Sequence, residues 1–355
     1  METRALDTKK IQAFADQVVG ILNGGLTSLM LSIGHRTGLF DRLATLGSVT
    51  SSEIATASQL DERYVREWLA SLVTARIIDY DGRHRTYRLP PEHAACLTRE
   101  AGPNNLALFA QGVGQYGAVE NAILGCFKSG GGIPYDSYPH FHDFAAEMSG
   151  VLHDALLVTK IIPTVGMAAR LTAGIDVLDV GCGKGHALNL LAKAFPNSRF
   201  VGIDLCEETV AAARAETAKF GLANARFEQM DAAKLDSPAT YDFITAFDTI
   251  HDQADPARVL SRIREALRPG GTFLCVDIAA SSHLADNLGH PLAPTLYAVS
   301  TMHCTPVSLA QGGVGLGTMW GQETALQMLG QAGFADVHVQ RVEGDLMNNY
   351  YVARS

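Results

Sequence analysis

Apolar residues recur at helical spacing from residue 11 to residue 46, with Phe14, Val18, Ile21 and Leu22 followed by Leu26, Leu29, Met30 and Ile33. Asn23-Gly24-Gly25 interrupts the pattern, which therefore predicts two helices. Thr50-x-x-Glu53 has the form of a capping box, in which hydroxyl and carboxylate satisfy each other's backbone donors, and it opens a short helix to Ala57. Asp61 can cap a second helix carrying Tyr64, Val65, Trp68, Leu69 and Leu72. Two short strands, 77–80 and 86–89, flank the hairpin dipeptide Asp81-Gly82. Helix-turn-helix followed by hairpin predicts a winged-helix domain over residues 1–91, ending near Pro90-Pro91.

Residues 92–170 read as an irregular helical linker, broken at Gly102-Pro103 and Gly130-Gly131-Gly132, that could close over a site as a lid. Within it, residues 135–142 (YDSYPHFH) gather Tyr135, Tyr138, Phe141, His140 and His142, a group able to cover a ligand or simply to pack between helices. From residue 175 the pattern alternates. Strands are predicted at 175–180, 199–204, 225–229, 241–246, 272–277, 337–341 and 350–353, with helices at 185–195, 207–220, 255–267 and 321–331. Near-continuous apolar strands separated by helices imply an α/β domain over 171–355, a Rossmann-like, mainly parallel sheet of seven strands covered on both faces. Residues 282–319, with Pro291, Pro294, Pro306, Leu292, Leu296, Tyr297 and Met302, break that rhythm and read as an insertion over the sheet's carboxyl edge.

A chain of 355 residues suits two domains at about 100–200 residues each. With 47% hydrophobic and 18% charged residues it is not a disordered polyelectrolyte. No unbroken apolar run reaches the about 18 residues of a membrane span, and METRALDTKK lacks a signal core, so a cytoplasmic protein is expected. Cys96, Cys126, Cys182, Cys206, Cys275 and Cys304 form no C-x-x-C pair and read as reduced, mostly buried thiols. The net charge of -9 disfavours nucleic acid and anionic lipid. Residues 1–100 are neutral, with twelve basic and twelve acidic residues, and the deficit lies beyond them. The presumed recognition helix offers Arg63 and Arg66 beside Glu62 and Glu67, and the wing offers Arg83, Arg85 and Arg88, which favours dimerisation or a lid role over DNA binding.

The informative motif is Asp179-Val180-Gly181-Cys182-Gly183-Lys184-Gly185, between a strand and a helix. Its glycines allow a tight turn and close approach of a ligand to the backbone. It lacks the G-x-x-x-x-G-K-[ST] of a phosphate loop, and its third glycine comes one position early for a dinucleotide fingerprint. Asp204 closes the second strand, where a carboxylate can accept from both hydroxyls of a ribose. Asp231, in Met230-Asp231-Ala232 after the third strand, could accept from an adenine amine, with Leu205 and Met230 sandwiching the ring. Asp179 suits a ligand bearing an ammonium group better than a pyrophosphate.

These residues resemble the class I S-adenosylmethionine-dependent methyltransferases, clearly over 175–280 and more loosely to the C-terminus. The glycine motif, the ribose acid at Asp204, the adenine acid at Asp231 and the Pro269-Gly270-Gly271 turn all match. The resemblance implies S-adenosyl-L-methionine as cofactor, with its methionine part against the 181–185 loop and near Phe247, and a terminal antiparallel hairpin. The whole order of domains is similar to a mycobacterial-type group of winged-helix methyltransferases and, more distantly, to dimeric small-molecule O-methyltransferases, whose base histidine lies in His-Asp-Trp. Here Phe247-Asp248-Thr249-Ile250-His251-Asp252-Gln253 keeps the His-Asp and lacks the tryptophan.

A cofactor that carries its own activation needs an aligned acceptor about 3–3.5 Å away and exclusion of water. His251 is the candidate general base, or else a residue that organises the loop. Tyr138, His142 and His303 are candidate acceptor contacts, His303-Cys304 being equally explained by packing. Cys182 reads as a small packing residue, and His140, His142 and His153 show no metal-ligand spacing, so no metal is expected. The expected activity is methyl transfer to a small apolar molecule, on oxygen or sulfur, by a homodimer joined through N-terminal helices without a core of their own. The alternatives are a transcription regulator sensing S-adenosylmethionine or a metabolite, and a nicotinamide oxidoreductase, whose fingerprint is missing.

Overall fold

A computed structural model describes residues 6–355, which form two compact units, one ending at Gly117 and one from Ala118 to Ser355. In the first, α1 (Thr8–Thr37) starts where the Asp7 carboxylate accepts from the amides of Lys9 and Lys10, and stops at left-handed Gly38. It is one helix, not two. Gly24 and Gly25 lie in its interior with open space around them, since each mid-helix glycine costs only about 1 kcal/mol and no proline interrupts the ladder. By length and composition α1 could also cross a bilayer, which a search for unbroken apolar runs misses because Gly, Ser and Thr punctuate it.

After α1 come α2 (Leu39–Leu46), α3 (Ser51–Ser58) and α4 (Glu62–Thr74). They are followed by the wing strands β1 (Asp79–Asp81) and β2 (Thr86–Arg88), then α5 (Pro91–Leu97), α6 (Leu106–Phe109) and α7 (Gln111–Gly117). The capping box forms as expected, with Thr50 N donating to Glu53 at 2.7 Å and Glu53 N to Thr50 Oγ1 at 3.3 Å. Contrary to expectation this unit has its own core, built on Phe40, Leu43, Ile54, Leu69 and Leu72. Trp68 lies 5.3 Å from Phe40 ring to ring, and its Nε1 donates to Met30 O at 2.8 Å. That bond ties the last turns of α1 to the core, while Phe14, Ile21, Leu22 and Leu26 nearer its start are all more than 60% exposed. Arg63 pairs with Glu67, Arg66 with Glu62 and Arg88 with Asp79, so the positive charge of the helix and part of that of the wing is neutralised locally.

The second unit opens with α8 (Glu120–Ser129) and α9 (Phe141–Leu156), which runs through a π turn at Leu157–Ile161 into α10 (Ile162–Thr164) and α11 (Ala168–Ala173). Then β3 (Asp176–Val180), α12 (His186–Ala194), β4 (Arg199–Asp204), α13 (Glu207–Lys219), β5 (Ala225–Gln229), β6 (Tyr241–Phe247), α14 (Pro256–Ala266) and β7 (Leu267–Ile278) alternate. The insertion supplies α15 (Ala293–Val299), a π turn at Ser300–Cys304 and α16 (Thr305–Ala310), and α17 (Gly321–Gln331), β8 (Asp336–Gln340) and β9 (Asn348–Arg354) end the chain. The sheet order is β5-β4-β3-β6-β7-β9-β8, with only β9 reversed. β3 lies between β4 and β6, so the chain reverses its direction of travel at β3 and leaves a crevice at the carboxyl ends there. Apolar layers cover both faces, Leu188, Leu191 and Phe243 on one side, Leu178, Ile244 and Ile263 on the other. Of the six cysteines only Cys275 and Cys304 are buried, because the others fall on helix or loop surfaces rather than in strands or under the insertion.

Trp68→Ala removes both a core ring and the bond to Met30. It should cost the N-terminal unit about 3–5 kcal/mol, read as a lowered denaturant midpoint by circular dichroism.

Candidate active site at the carboxyl edge of the sheet

The loop after β3 is built by backbone constraints. Gly181, Gly183 and Gly185 all have positive φ, at 67°, 52° and 74°. A Cβ at Gly181 would sit 2.1 Å from Thr249 Oγ1, and one at Gly185 2.5 Å from Ala213 Cβ and 2.6 Å from the Phe227 ring. At Gly183 it would meet open space. The outer glycines are therefore fixed by packing, and Gly183 presents bare backbone to whatever enters the crevice. The amides of Gly181 and Cys182 both donate to Ile203 O, and Gly183 N donates to Asp204 Oδ2 at 2.8 Å.

Asp204 is thus a loop organiser as well as a strand-end acid. Its Oδ1 accepts from Cys206 N and Thr209 Oγ1, both at 3.0 Å. Two accepted bonds on one oxygen and one on the other leave room for a diol donor. Leu205 beside it is half exposed, an apolar surface of the kind an adenine ring would cover. Asp231 caps the turn Ala232–Lys234 by accepting from Ala233 N at 3.0 Å, and pairs with Lys234 at 3.1 Å. Met230 is half-buried and Ala232 buried against the sheet. The donor set fits an adenosyl ligand: open backbone at Gly183, a carboxylate with spare acceptor capacity, and an uncovered leucine.

Asp179 ends β3 fully buried. Burial pushes its carboxyl up to about 7 although the Thr245 hydroxyl donates to it at 2.6 Å. Phe247, at the end of β6, stands edge-on to His153 with centroids 4.9 Å apart. His153 is buried with an unbonded Nδ1, and burial pulls its imidazole down to about 4, so a neutral ring faces Phe247.

His251 lies in the turn Ile250–Asp252 after β6, almost fully buried. Its Nδ1 is 2.8 and 3.0 Å from the two oxygens of Asp277, the acid near the end of β7. A carboxylate only accepts, so the hydrogen sits on Nδ1 and Nε2 faces Asp252 Oδ1 at 3.4 Å. Burial disfavours the cationic ring, but the charges of Asp277 and Asp252 outweigh it and raise its pKa well above the usual value. Beside them Asp248, at φ +48°, is exposed to solvent on its outer side; desolvation by the protein around it first, and the Asp277 charge second, push its carboxyl up to about 8.

The aromatic stretch also converges here. Tyr135 OH donates to Asp252 Oδ2 at 3.1 Å, and Tyr138 OH to Met302 O at 2.6 Å. The ring of buried His303 lies 3.9 Å from that of Phe141 and edge-on to Tyr138 at 4.7 Å, while His142 stacks on Tyr135 at 5.8 Å. Tyr138 and His303 are interior members of this cluster, and His142 is on its rim. α9, which grows out of it, is tied to the glycine loop: Asp143 pairs with Lys184, and Asp154 accepts from His186 Nε2 at 2.9 Å. Sequence reasoning picked out His251 but not Asp277, Asp248 or Asp252 as its neighbours. Asp277 ends an apolar strand as Asp179 and Asp204 do, and the same rule applied to β7 would have found it.

The comparisons agree with this geometry. Residues 25–99 match the model of an Rv2258c-like winged HTH domain, and residues 171–333 that of a methyltransferase domain. A probable S-adenosylmethionine-dependent methyltransferase of Mycolicibacterium smegmatis is 36% identical over 107 residues, 30% of this chain and 39% of that protein. The chain spans less than half the length of the curated relatives it matches. A putative O-methyltransferase structure from Nostoc punctiforme shares the fold with a TM-score of 0.72 at 20% identity, covering 96% of this chain and 98% of that one. The human N-acetylserotonin methyltransferase, in complex with S-adenosylmethionine, does so with a TM-score of 0.67 at 18% identity, covering 100% and 99%. The chain thus carries a winged helix-turn-helix domain followed by a methyltransferase domain, and the sheet order, glycine loop and strand-end acids of the latter are similar to those of the S-adenosylmethionine-dependent methyltransferases.

Proposed function

We infer that this protein transfers a methyl group from S-adenosyl-L-methionine to a small, largely apolar acceptor, on oxygen or sulfur, with His251 as general base. The observation that carries the reading is the buried His251–Asp277 pair, 2.8 Å apart, in the turn that follows the strand next to the glycine loop. The cofactor, when bound, supplies an activated methyl group. The chain's own task is to hold it and to manage the acceptor's proton. Gly183 and Asp204 would take the adenosyl part, and Asp179 would answer an ammonium group. Asp277 fixes the ring of His251 so that Nε2 is the atom that meets the acceptor's proton, and its charge makes that nitrogen more basic than in a free histidine. A more basic Nε2 is less often free at neutral pH and accepts more strongly when it is. Apolar support for the acceptor comes from the cluster of Tyr138, His142 and His303. The two recognition-helix arginines are already paired within their own helix, which leaves the regulator reading without a specific observation in its favour.

Calorimetry should show S-adenosylhomocysteine binding to the wild type and at least 10-fold weaker binding to Asp204→Ala. His251→Ala should keep wild-type affinity while turnover of an acceptor found by screening drops about 100-fold. Absence of binding to the wild type would sink the cofactor assignment. Unchanged turnover in His251→Ala would leave positioning alone as the source of rate.

Asp179 gives a second test. Its ordinary value is 3.8 and its folded value about 7, so over that range the folded protein holds a proton that the unfolded chain has lost. The resulting penalty is absent below about pH 4, grows as pH rises and is complete above about pH 7. Ligand-free Asp179→Asn should therefore melt above the wild type at pH 8 and level with it at pH 4, while binding the cofactor more weakly. Equal melting at both pH values would contradict the burial argument.

The exposed stripe of α1, including Phe14, Ile21, Leu22 and Leu26, is proposed to be covered by the same helix of a second copy. Light scattering behind size exclusion should give a dimer for the wild type and a monomer for the double variant Phe14→Asp, Leu22→Asp. A monomeric wild type at micromolar concentration would exclude that role.

A further inference from the structure

The turn that carries His251 faces the insertion across a group of donors of which methyl transfer uses only the imidazole. A ring nitrogen of His251, a carboxylate oxygen of Asp252 and Cys304 Sγ all lie within 4.8 Å of one another, and Nε2 is the nitrogen on the Asp252 side. They come from two distant parts of the chain. His251 and Asp252 follow β6, and Cys304 ends the π turn of the insertion. Ligands split 52 positions apart give no spacing motif, so the expectation of no metal, drawn from histidine spacing in the linker, did not bear on them.

We propose that His251, Asp252 and Cys304 form a binding site for a borderline-soft divalent cation, zinc in particular. The donor set is the first argument. One imidazole nitrogen, one thiolate and one carboxylate suit zinc, whereas magnesium and calcium take oxygen alone. The second is support behind each donor. Asp277 accepts from His251 Nδ1 at 2.8 Å and so aims Nε2 inward. Tyr135 OH donates to the far oxygen of Asp252 at 3.1 Å, and Thr318 Oγ1 donates to Cys304 Sγ at 3.0 Å. Carboxylate, hydroxyl and phenol partners of this kind orient the ligands of zinc sites. The third is an orphan. Asp252 Oδ1 is buried and accepts no hydrogen bond; its neighbour Nε2, at 3.4 Å, offers positive charge only while the ring is protonated, and a cation held by both atoms would serve that oxygen at higher pH as well.

The geometry is near that of a tetrahedral site, whose donors stand about 3.3–3.8 Å apart. The Nε2–Oδ1 edge falls in that range, and the longest edge closes with side-chain movement of about 1 Å. On binding, the cation forms bonds to Nε2, Sγ and a carboxylate oxygen. The thiol proton, and the Nε2 proton where present, leave to solvent, while Nδ1 keeps its hydrogen on Asp277. Three protein donors leave a fourth position for water or another oxygen or sulfur ligand. Binding stands on the side chains alone. Its consequence rests on the reading above: the cation and the acceptor's proton compete for one lone pair, so loaded protein lacks its base.

Cobalt(II), a coloured substitute for zinc, tests the site in chelator-treated, ligand-free protein kept under reducing, oxygen-free conditions. The wild type should take up one equivalent with the absorption of a four-coordinate ion and a thiolate-to-cobalt charge-transfer band, both abolished by one equivalent of zinc. Cys304→Ser should lose the charge-transfer band. Asp252→Asn should keep the band and bind at least 10-fold more weakly, which maintains the test if Cys304→Ser fails to fold. Cys182→Ser, in the glycine loop, should bind as the wild type does. No uptake at micromolar cobalt, a band that survives Cys304→Ser, or a band lost in Cys182→Ser would overturn the proposal. Calorimetry with S-adenosylhomocysteine on the same preparation reports separately on the methyltransferase reading, so the two cannot fail unnoticed together.

Discussion

The second unit depends on one short piece of backbone. Residues 181–185 turn out of β3 through three left-handed glycines, two of which have no room for a side chain, and Asp204 holds the middle one by its amide. Because β3 sits where the sheet reverses its order, that turn opens into the crevice between neighbouring strand ends. Everything that follows is arranged around it. Phe227 from β5 packs beneath Gly185, Thr249 from the turn after β6 packs beneath Gly181, and so the loop fixes the distance from the β4 carboxylate to the turn that carries His251.

The other constraint is electrostatic. Asp179 and Asp277 are buried near the ends of apolar strands, Asp248 follows the end of another where it meets solvent, and each settles its charge differently. Asp277 takes His251 as counter-ion. Asp248, next to it, is pushed upward and tends to hold its proton. Asp179 has only a hydroxyl partner and stays near neutrality. One acid is paired, one protonated and one poised, and this division comes from neighbours rather than from residue type.

Much of this was legible along the chain because the signals were local. β4, β5 and α17 fall on the residues that their periodicity predicts and the capping box at Thr50 forms as read, whereas the hairpin keeps Asp81 in its first strand, paired with Thr86, and turns over residues 82–85 rather than at Asp81-Gly82. What failed was a weighing of local penalties. Two glycines looked like a break in α1, yet a helix without proline runs through them. What could not be read was pairing across the sheet. His251 meets Asp277 across 26 positions, and Cys304 joins them from an insertion whose path has no periodicity to follow. The apolar start of α1 was legible as residues, but its exposure was not, since the core of that unit closes on Trp68 and leaves it out.

The ties between α9 and the glycine loop bear on the order of events. Asp143 and Asp154 grip Lys184 and His186, while the same helix begins at Phe141 inside the aromatic cluster. A rod anchored at both places couples them mechanically: a guest that tilts its aromatic end pulls on the cradle, and a filled cradle stiffens the aromatic end. Entry of two molecules into such an enclosure proceeds in sequence, the first one setting the shape that admits the second, and departure runs in reverse.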